Sequence, residues 1–116
     1  MASAGGDWKD MYYAAERGDL HCVLYHLSEG VDVDYQHPEA MVSALVISCM
    51  QGHTEVARAL LAHGADPNLP AELGQLTPLQ AARQHGDVAL QSLLQDFGAQ
   101  EQPSPHRRFW ERWLSV

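Results

Sequence analysis

Apolar residues recur along the chain at the spacing of short amphipathic helices. Val56 and Leu60 lie four residues apart with Leu61 beside them, and Leu90 and Leu94 repeat that spacing 34 residues later. This pattern places each set on one face of a helix. A shorter apolar segment precedes each such helix and predicts a first helix at residues 10–17, 44–51 and 78–85.

Glycines mark the ends of these predicted helices at one constant spacing. Two columns of glycine repeat every 34 residues, at Gly18, Gly52 and Gly86 and at Gly30, Gly64 and Gly98. Glycine takes the left-handed backbone conformation that closes a helix at little cost. Two columns with the same period indicate an internal repeat.

The predicted helix starts carry residues that suit a first turn. Thr77 can accept hydrogen bonds from the free backbone amides, and Pro78 stands where its missing N–H costs nothing. The second helices are expected to begin after Asp19, His53 and Asp87. Together these features predict an all-α fold, a stack of helix–turn–helix units with short extended or turn-like connections.

Several segments of the chain resemble the ankyrin repeats. GHTEVARALLAHGADPN (52–68) is similar to the second helix of that family and its exit, and TPLQAA (77–82) is similar to its opening motif. KDMYYAAERGDL (9–20) keeps the Ala-Ala pair and the glycine but lacks Thr-Pro, and SALV (43–46) replaces the threonine, proline and histidine. The resemblance covers residues 9–99 and implies a solenoid of about three ankyrin repeats.

The repeat divides the chain into six segments. The period of 34 residues is one longer than the ~33 usual for ankyrin repeats, and we assign the additional residue to the connections. Three repeats are close to the minimum that can bury a shared core. The expected segments are a lead-in at 1–8, repeats at 9–42, 43–76 and 77–100, a Pro-containing linker at 101–106 and an amphipathic aromatic helix at 107–116.

The last repeat carries polar residues where the earlier repeats carry apolar ones. Arg83, Gln91 and Gln95 each stand in a column that is apolar in both preceding repeats. The solvent-facing end of a repeat stack needs such a change. We therefore expect these three side chains to form a polar cap on the third repeat.

Charge is unevenly distributed along the chain. Residues 1–100 contain four Lys or Arg against thirteen Asp or Glu, whereas residues 101–116 contain three against two. A body with a net charge of −9 repels phosphate backbones, so nucleic acid is not an expected partner. With 46% hydrophobic and 19% charged residues, the chain has the composition of a folded domain.

The sequence shows no targeting signal, and this favours a cytoplasmic location. The N-terminus has no basic region followed by an apolar stretch, and no apolar run approaches the ~20 residues of a membrane span. A cytoplasmic location is therefore expected, and a membrane is not an expected partner. Cys22 and Cys49 fall inside apolar helical patterns and outside any metal-ligand spacing, so we interpret both as reduced core thiols.

The histidines have structural explanations in the repeat. His53 opens a second helix, at a position where the resemblance to ankyrin repeats implies a structural hydrogen bond. His63 lies in the last turn of a helix, where a partly charged imidazole suits the helix dipole. His26 shares a column with two leucines and is expected to be half-buried with a hydrogen-bond partner.

Acidic residues recur in the connections, where they resemble paired catalytic carboxylates. Asp32 and Asp34 are matched by Asp66 and Asn68 one period later, and Asx side chains satisfy local backbone amides in turns. The chain has no GxSxG motif and no Gly-rich phosphate loop. We therefore expect no catalytic residue, metal ion, cofactor or small-molecule substrate.

Partner binding is the remaining function. The resemblance to ankyrin repeats implies a concave face made of the exposed ends of the first helices and the protruding connections. Carried over column by column, it gives Glu16, Arg17, Met50, Gln51, Gln84 and His85 on the helices, and Tyr35, Gln36, His37, Glu39, Glu72 and Leu73 on the connections. The expected function is a protein-binding adaptor, inhibitor or regulator, with an obligate stabilising subunit of a larger complex as the alternative.

The C-terminal segment HRRFWERWLSV has a character of its own. On a helix, its apolar side chains form one wide stripe, made of Phe109, Trp110, Trp113 and Leu114. Arg107, Arg108 and Arg112 lie beside that stripe. Three interpretations stay open: docking of this helix on its own repeats, which we favour, a helical ligand for a partner, and an interfacial membrane anchor.

Overall fold

The computed structural model describes residues 8–100, and in that part of the chain the regular secondary structure is entirely helical. Six helices follow one another in pairs: α1 (Trp8–Arg17), α2 (Leu20–Ser28), α3 (Ala44–Met50), α4 (Thr54–Ala62), α5 (Pro78–His85) and α6 (Val88–Asp96). The predicted all-α fold is confirmed, and each predicted first helix matches the observed bounds to within two residues. The linker predicted at 101–106 and the helix predicted at 107–116 lie outside the described residues.

The helices form two layers, and each pair stacks on the next. In one layer α3 packs between α1 and α5, and in the other α4 packs between α2 and α6. The core consists of the apolar columns seen in the sequence, with Leu45, Leu60 and Leu90 among its fully buried side chains. Because a single pair cannot enclose its own apolar face, each repeat completes the core of its neighbour.

Side chains that accept backbone hydrogen bonds fix the helix starts. At α5 the Thr77 hydroxyl accepts from the Gln80 amide, and the Gln80 side chain accepts from the Thr77 amide, both at 3.1 Å. Ser43 caps α3 by accepting from the amide three residues further on, at 3.2 Å. Asp19 and Asp87 do the same for α2 and α6 at 3.1 and 3.0 Å. These caps account for the observed starts of α2, α3, α5 and α6, whereas His53 at the start of α4 makes no side-chain cap bond.

The two connections pack against each other along one edge of the stack. The first comprises residues 29–43 and the second residues 63–77. The Leu73 amide donates to the Met41 carbonyl at 3.0 Å and thereby joins them. Met41 has a φ of 57° and Gln75, one period later, has a φ of 55°, a left-handed conformation that is uncommon outside glycine. The connections therefore repeat each other in backbone conformation as well as in sequence position.

The polar residues of the connections act in two ways. Asp32 accepts from the Asp34 amide at 3.0 Å and Asp66 from the Asn68 amide at 2.9 Å, as the turn interpretation predicts. The second column instead reaches the next repeat. Asp34 Oδ1 accepts from the Asp66 amide at 3.0 Å, and Asn68 Oδ1 accepts from the Gln100 amide at 2.8 Å. The purely local interpretation was wrong for this column, because stacking brings the next repeat's amide within reach.

Two glycines mark close approaches between repeats. Gly18 and Gly52 have φ values of 79° and 74°. The His53 ring lies over Gly18, and its Nε2 donates to the Glu16 carbonyl at 2.9 Å, which confirms its structural role. The His85 ring lies over Gly52 in the same way, but that side chain makes no hydrogen bond to the described part of the chain.

The outward faces of the first and third repeats differ. Arg83 and Gln95 are exposed and Gln91 is half-buried, as the predicted polar cap requires. The opposite face, on the first repeat, carries Tyr13 and Tyr25, which are 47% and 60% exposed. In the third repeat their columns are buried, because there they pack on the preceding repeat. The stack therefore has a charged and amide-rich end and an aromatic end.

The buried polar groups include one correction. Cys49 is buried and Cys22 is half-buried, and both are free thiols, in agreement with the sequence interpretation. His26 is buried, not half-buried, and its Nδ1 has no hydrogen-bond partner within residues 8–100. The expected partner was wrong for this atom, because the ring is enclosed and meets the Tyr25 ring edge-on at 5.3 Å. His63 ends α4, where its Nδ1 donates to the Ala59 carbonyl at 2.9 Å.

Candidate protein-binding surface

The predicted binding residues of the first helices lie together, at the C-terminal ends of α1, α3 and α5. Glu16 is half-buried. The other five are exposed: Arg17, Met50, Gln51, Gln84 and His85. Arg17 contacts the Asp19 carboxylate at 3.2 Å. The pKa of Asp19 is lowered, mainly by the hydrogen bond from the Cys22 amide and next by the Arg17 side chain. The packing of α3 between α1 and α5 makes these helix ends neighbours on one surface.

The predicted residues of the connections divide into exposed and supporting ones. Glu39, Glu72 and Leu73 are exposed, whereas Tyr35, Gln36 and His37 are half-buried. Gln36 ties the connections together: its Nε2 donates to the Pro70 carbonyl at 3.1 Å, and its Oε1 accepts from the Glu72 amide at 2.9 Å. Its side chain thus holds the second connection in place.

Tyr35 is also part of the support. Its ring lies 6.2 Å from the His37 ring and lines a narrow gap with Met11, Tyr12 and Ala44. Removing this ring would disturb the packing of the first connection on α1. The exposed residues of the connections are therefore better probes of binding than Tyr35.

A cleft of about 470 Å³ opens between α1 and the first connection. It is lined by Lys9, Tyr12, Tyr13, Glu16, Glu39 and Ala40. The sequence predicted Glu16 and Glu39 for this surface but missed the two tyrosines. The repeat alignment contains a signal for Tyr13. The other residues of its column, Ile47 and Ala81, are buried, whereas Tyr13 on the first repeat is exposed.

The cleft combines aromatic rings with carboxylates. The Tyr12 and Tyr13 rings meet edge-on with their centroids 5.4 Å apart. Burial and then the Glu16 carboxylate raise the pKa of Tyr12, so its hydroxyl stays neutral over the physiological range. Glu16 and Glu39 supply negative charge, and Lys9 is the basic lining residue. Such a site can accept a cationic or aromatic side chain.

Exposed apolar side chains continue the surface beyond the cleft. Met50 on α3 is 41% exposed, and Leu73 at the tip of the second connection is 59% exposed. Aromatic residues and methionine are enriched in protein interfaces relative to the rest of the surface. The cleft, Met50 and Leu73 together form the candidate binding surface.

Within residues 8–100 no group of three His, Cys, Asp or Glu side chains could hold a metal ion. Burial raises the pKa of the Cys49 thiol to about 12, which keeps it protonated and unreactive. No helix in the same range is long and apolar enough to cross a bilayer. The predicted tail residues, Phe109, Trp110, Trp113 and Leu114, lie outside the described part of the chain.

Comparison with known families identifies the stack. The family model for ankyrin repeats matches three copies over residues 11–102. The chain belongs to the ankyrin-repeat family. Ankyrin repeats are generally protein-interaction modules and are typically not enzymes. The fold, the repeat number and the resemblance read from the sequence are thereby confirmed.

Individual relatives agree with this assignment. The chain is similar to the crystal structure of the human ASB11 ankyrin repeat domain, with a TM-score of 0.72 and 35% identity over 79% of this chain and 41% of that one. It is 36% identical over 84 residues to the ankyrin repeat and KH domain-containing protein mask-1 of Caenorhabditis elegans, covering 72% of this chain but 3% of that protein. It is 35% identical over 86 residues to cyclin-dependent kinase 4 inhibitor B of Bos taurus, covering 74% and 64%. The ankyrin chain thus spans a very small part of mask-1 and most of the kinase inhibitor.

Proposed function

We propose that this ankyrin chain is an adaptor, inhibitor or regulator that binds a partner protein through the candidate surface. The exposed apolar side chains of Met50 and Leu73 carry the proposal. Both stand where the family presents its contacts, and both would lose unfavourable contact with water when a partner covers them. The half-buried Tyr35 and Gln36 hold the connections behind them.

The comparisons support the general class of this function. One relative is by name an inhibitor of cyclin-dependent kinase 4, and the chain covers 64% of it. The described residues carry four basic against twelve acidic side chains, so a partner surface with basic residues fits best. The free thiols of Cys22 and Cys49 support the proposed cytoplasmic location, because a reducing compartment preserves them.

The test begins with partner capture. The full chain is used to isolate partners from native lysate, and mass spectrometry identifies them. Binding of a purified partner is then measured for the double variant Met50→Glu and Leu73→Glu. We expect affinity to fall by at least about tenfold, because truncating or charging interface anchors costs about 1–2 kcal/mol each.

Val88→Glu is the matched control. Val88 is 73% exposed on α6, in the other helix layer, so the same change of an apolar to a charged residue should leave affinity unaltered. Equal affinity of the double variant at unchanged stability would move the binding surface elsewhere. A partner that co-purifies stoichiometrically, with a chain that is unstable alone, would favour the obligate-subunit function instead.

A further inference from the structure

The cleft on the first repeat has the chemistry of a site for an arginine-bearing aromatic segment. Tyr12 and Tyr13 offer ring faces and edges, and the carboxylates of Glu16 and Glu39 stand at the same opening. A guanidinium group stacks on aromatic rings and pairs with carboxylates, so one arginine can use both features. The two carboxylates outnumber Lys9, the basic residue that lines the same cleft, so the opening favours a cationic group.

The chain contains a segment of this composition outside the described residues. Residues 107–114 read RRFWERWL and combine basic with aromatic side chains. Its charges oppose those of the body, since residues 8–100 carry four Lys or Arg against twelve Asp or Glu. The tail and the cleft are therefore complementary in charge and in aromatic character.

The third repeat is the part of the stack nearest to this segment along the chain. The outward face of the third repeat presents Arg83, Gln91 and Gln95. Arg83 carries the same charge as the arginines of the tail, but Val88 and Phe97 in the third repeat are 73% and 43% exposed, which makes this repeat the alternative docking site. The cleft on the first repeat is the better match, because carboxylates and aromatic rings lie together at its opening.

The chain length permits this placement. The Gln100 amide binds the Asn68 side chain, so the described chain ends on the edge of the stack formed by the connections, which is also the edge of the cleft. Two repeats at ~8–10 Å each separate this point from the first repeat. The six residues 101–106 span at most ~20–22 Å when extended. Pro103 and Pro105 favour an extended backbone.

We propose that residues 107–114 bind in the cleft of their own chain, between α1 and the first connection. The bound segment covers Glu16 and Glu39 and leaves Met50 and Leu73 accessible. This contact goes beyond the proposed function and exists without any partner.

Hydrogen exchange of the full chain, read by mass spectrometry without a partner, tests the contact. The wild-type chain is compared with the double variant Trp110→Ala and Trp113→Ala. In the variant, amides at residues 36–42 should exchange about tenfold faster, the factor that corresponds to about 1.4 kcal/mol of lost protection. Residues 88–97, near the chain's polar end, should exchange at unchanged rates.

Charge reversal in the cleft supplies the reciprocal measurement. Glu16→Arg with Glu39→Arg should accelerate exchange at residues 107–114, whereas Glu29→Arg, an exposed carboxylate on another part of the surface, should not. Unchanged rates at 36–42 in the tryptophan variant, or changes at 88–97 instead, would overturn the proposal. Protection that disappears on dilution would assign the bound tail to a second copy and also overturn it. None of these results depends on the Met50 and Leu73 binding experiment, so the two proposals fail separately.

Discussion

The two junctions between repeats use the same sequence columns but anchor them with different residues. At the first junction the His53 ring covers Gly18 and is held by a hydrogen bond to the Glu16 carbonyl at 2.9 Å. At the second junction the His85 ring covers Gly52, is exposed, and makes no hydrogen bond to residues 8–100. The close approach of the backbone is common to both, whereas the rigidity of the covering ring is not.

In the connections the second junction is the one with more hydrogen bonds. At the first junction Asp34 only accepts, from the Asp66 amide. At the second junction Asn68 both accepts from the Gln100 amide and donates from Nδ2 to the Gly98 carbonyl at 3.1 Å. The histidine that covers the glycine is thus hydrogen-bonded at the first junction, whereas the Asp/Asn column makes more bonds at the second. Stacking of repeats therefore needs the backbone geometry of the column more than any particular side chain.

The glycine column provides the largest expected effect. Gly18, Gly52 and Gly86 all have positive φ, but an added Cβ meets the anchored His53 ring at Gly18, the movable His85 ring at Gly52 and open space at Gly86. Each substitution to alanine should cost about 1–2 kcal/mol for the left-handed backbone. Gly18→Ala should cost about 1 kcal/mol more, because the His53 hydrogen bond must also break. Urea denaturation should rank the losses Gly18, then Gly52, then Gly86.

A double-mutant cycle isolates the cause of that ranking. In a His53→Ala background, the cost of Gly18→Ala should fall to that of Gly86→Ala, because the obstructing ring is gone. Equal losses at all three glycines in the wild-type background would contradict the distinction between an anchored and a movable ring.

The histidine anchor gives an intermediate effect. His53→Ala should destabilise the fold by about 1–2 kcal/mol, since it removes a half-buried hydrogen bond between repeats and the packing over Gly18. His63→Ala is the matched control, because its ring also donates to a carbonyl, at 2.9 Å, but within its own helix and in an exposed position. Its loss should stay below about 0.5 kcal/mol. A comparable loss for both variants would show that the His53 bond adds nothing to stacking.

The smallest expected effect comes from Asp34→Asn, which gives the first junction the side chain that the second junction has at Asn68. Burial raises the pKa of Asp34, the Asp66 amide opposes this, and the Asp66 and Asp32 carboxylates raise it further. A raised folded pKa means that ionised Asp34 lowers stability above its ordinary value of 3.8. Asp34→Asn should therefore stabilise the fold at neutral pH by no more than about 0.5 kcal/mol, because solvent screens the charge of this partly buried side chain.

The pH dependence distinguishes this explanation from a general surface effect. The gain should shrink as pH falls through the folded pKa of Asp34, because the wild-type carboxyl is then neutral as well. Asp32→Asn, two residues away and bonded only to a local amide, should change stability little at any pH. Thermal unfolding from pH 3 to pH 7 would check both, and a gain that persists undiminished at low pH would exclude the charge explanation.

Sequence alone predicted the elements that depend on neighbours along the chain. The helix pairs follow from the apolar spacing, their starts from Thr77, Asp19 and Asp87, and the polar cap from three columns that change in the last repeat. These features are local or recur at a fixed period, so they can be read without coordinates. The choice of binding residues was informed by the same columns and stays a proposal.

Features that depend on distances between repeats could not be predicted in the same way. The bond from the Asp66 amide to Asp34 joins residues 32 positions apart, and a local Asx turn explains the same sequence. The cleft depends on how far the first connection stands from α1, so its tyrosines were missed. The enclosed Nδ1 of His26 likewise depends on packing that no single column reveals.

The side-chain acceptors that recur in the connections would allow the number of repeats in the stack to change. Asn68 and Asp34 occupy one column, and the amides that they bind, of Gln100 and Asp66, occupy another. A duplicate of residues 43–76 inserted after Leu76 would therefore present an amide to the original Asn68 and a new Asn68 to Gln100. Its copy of His53 would face the original Gly52 as His53 now faces Gly18. An added repeat would therefore be joined by the same contacts that already join the existing repeats.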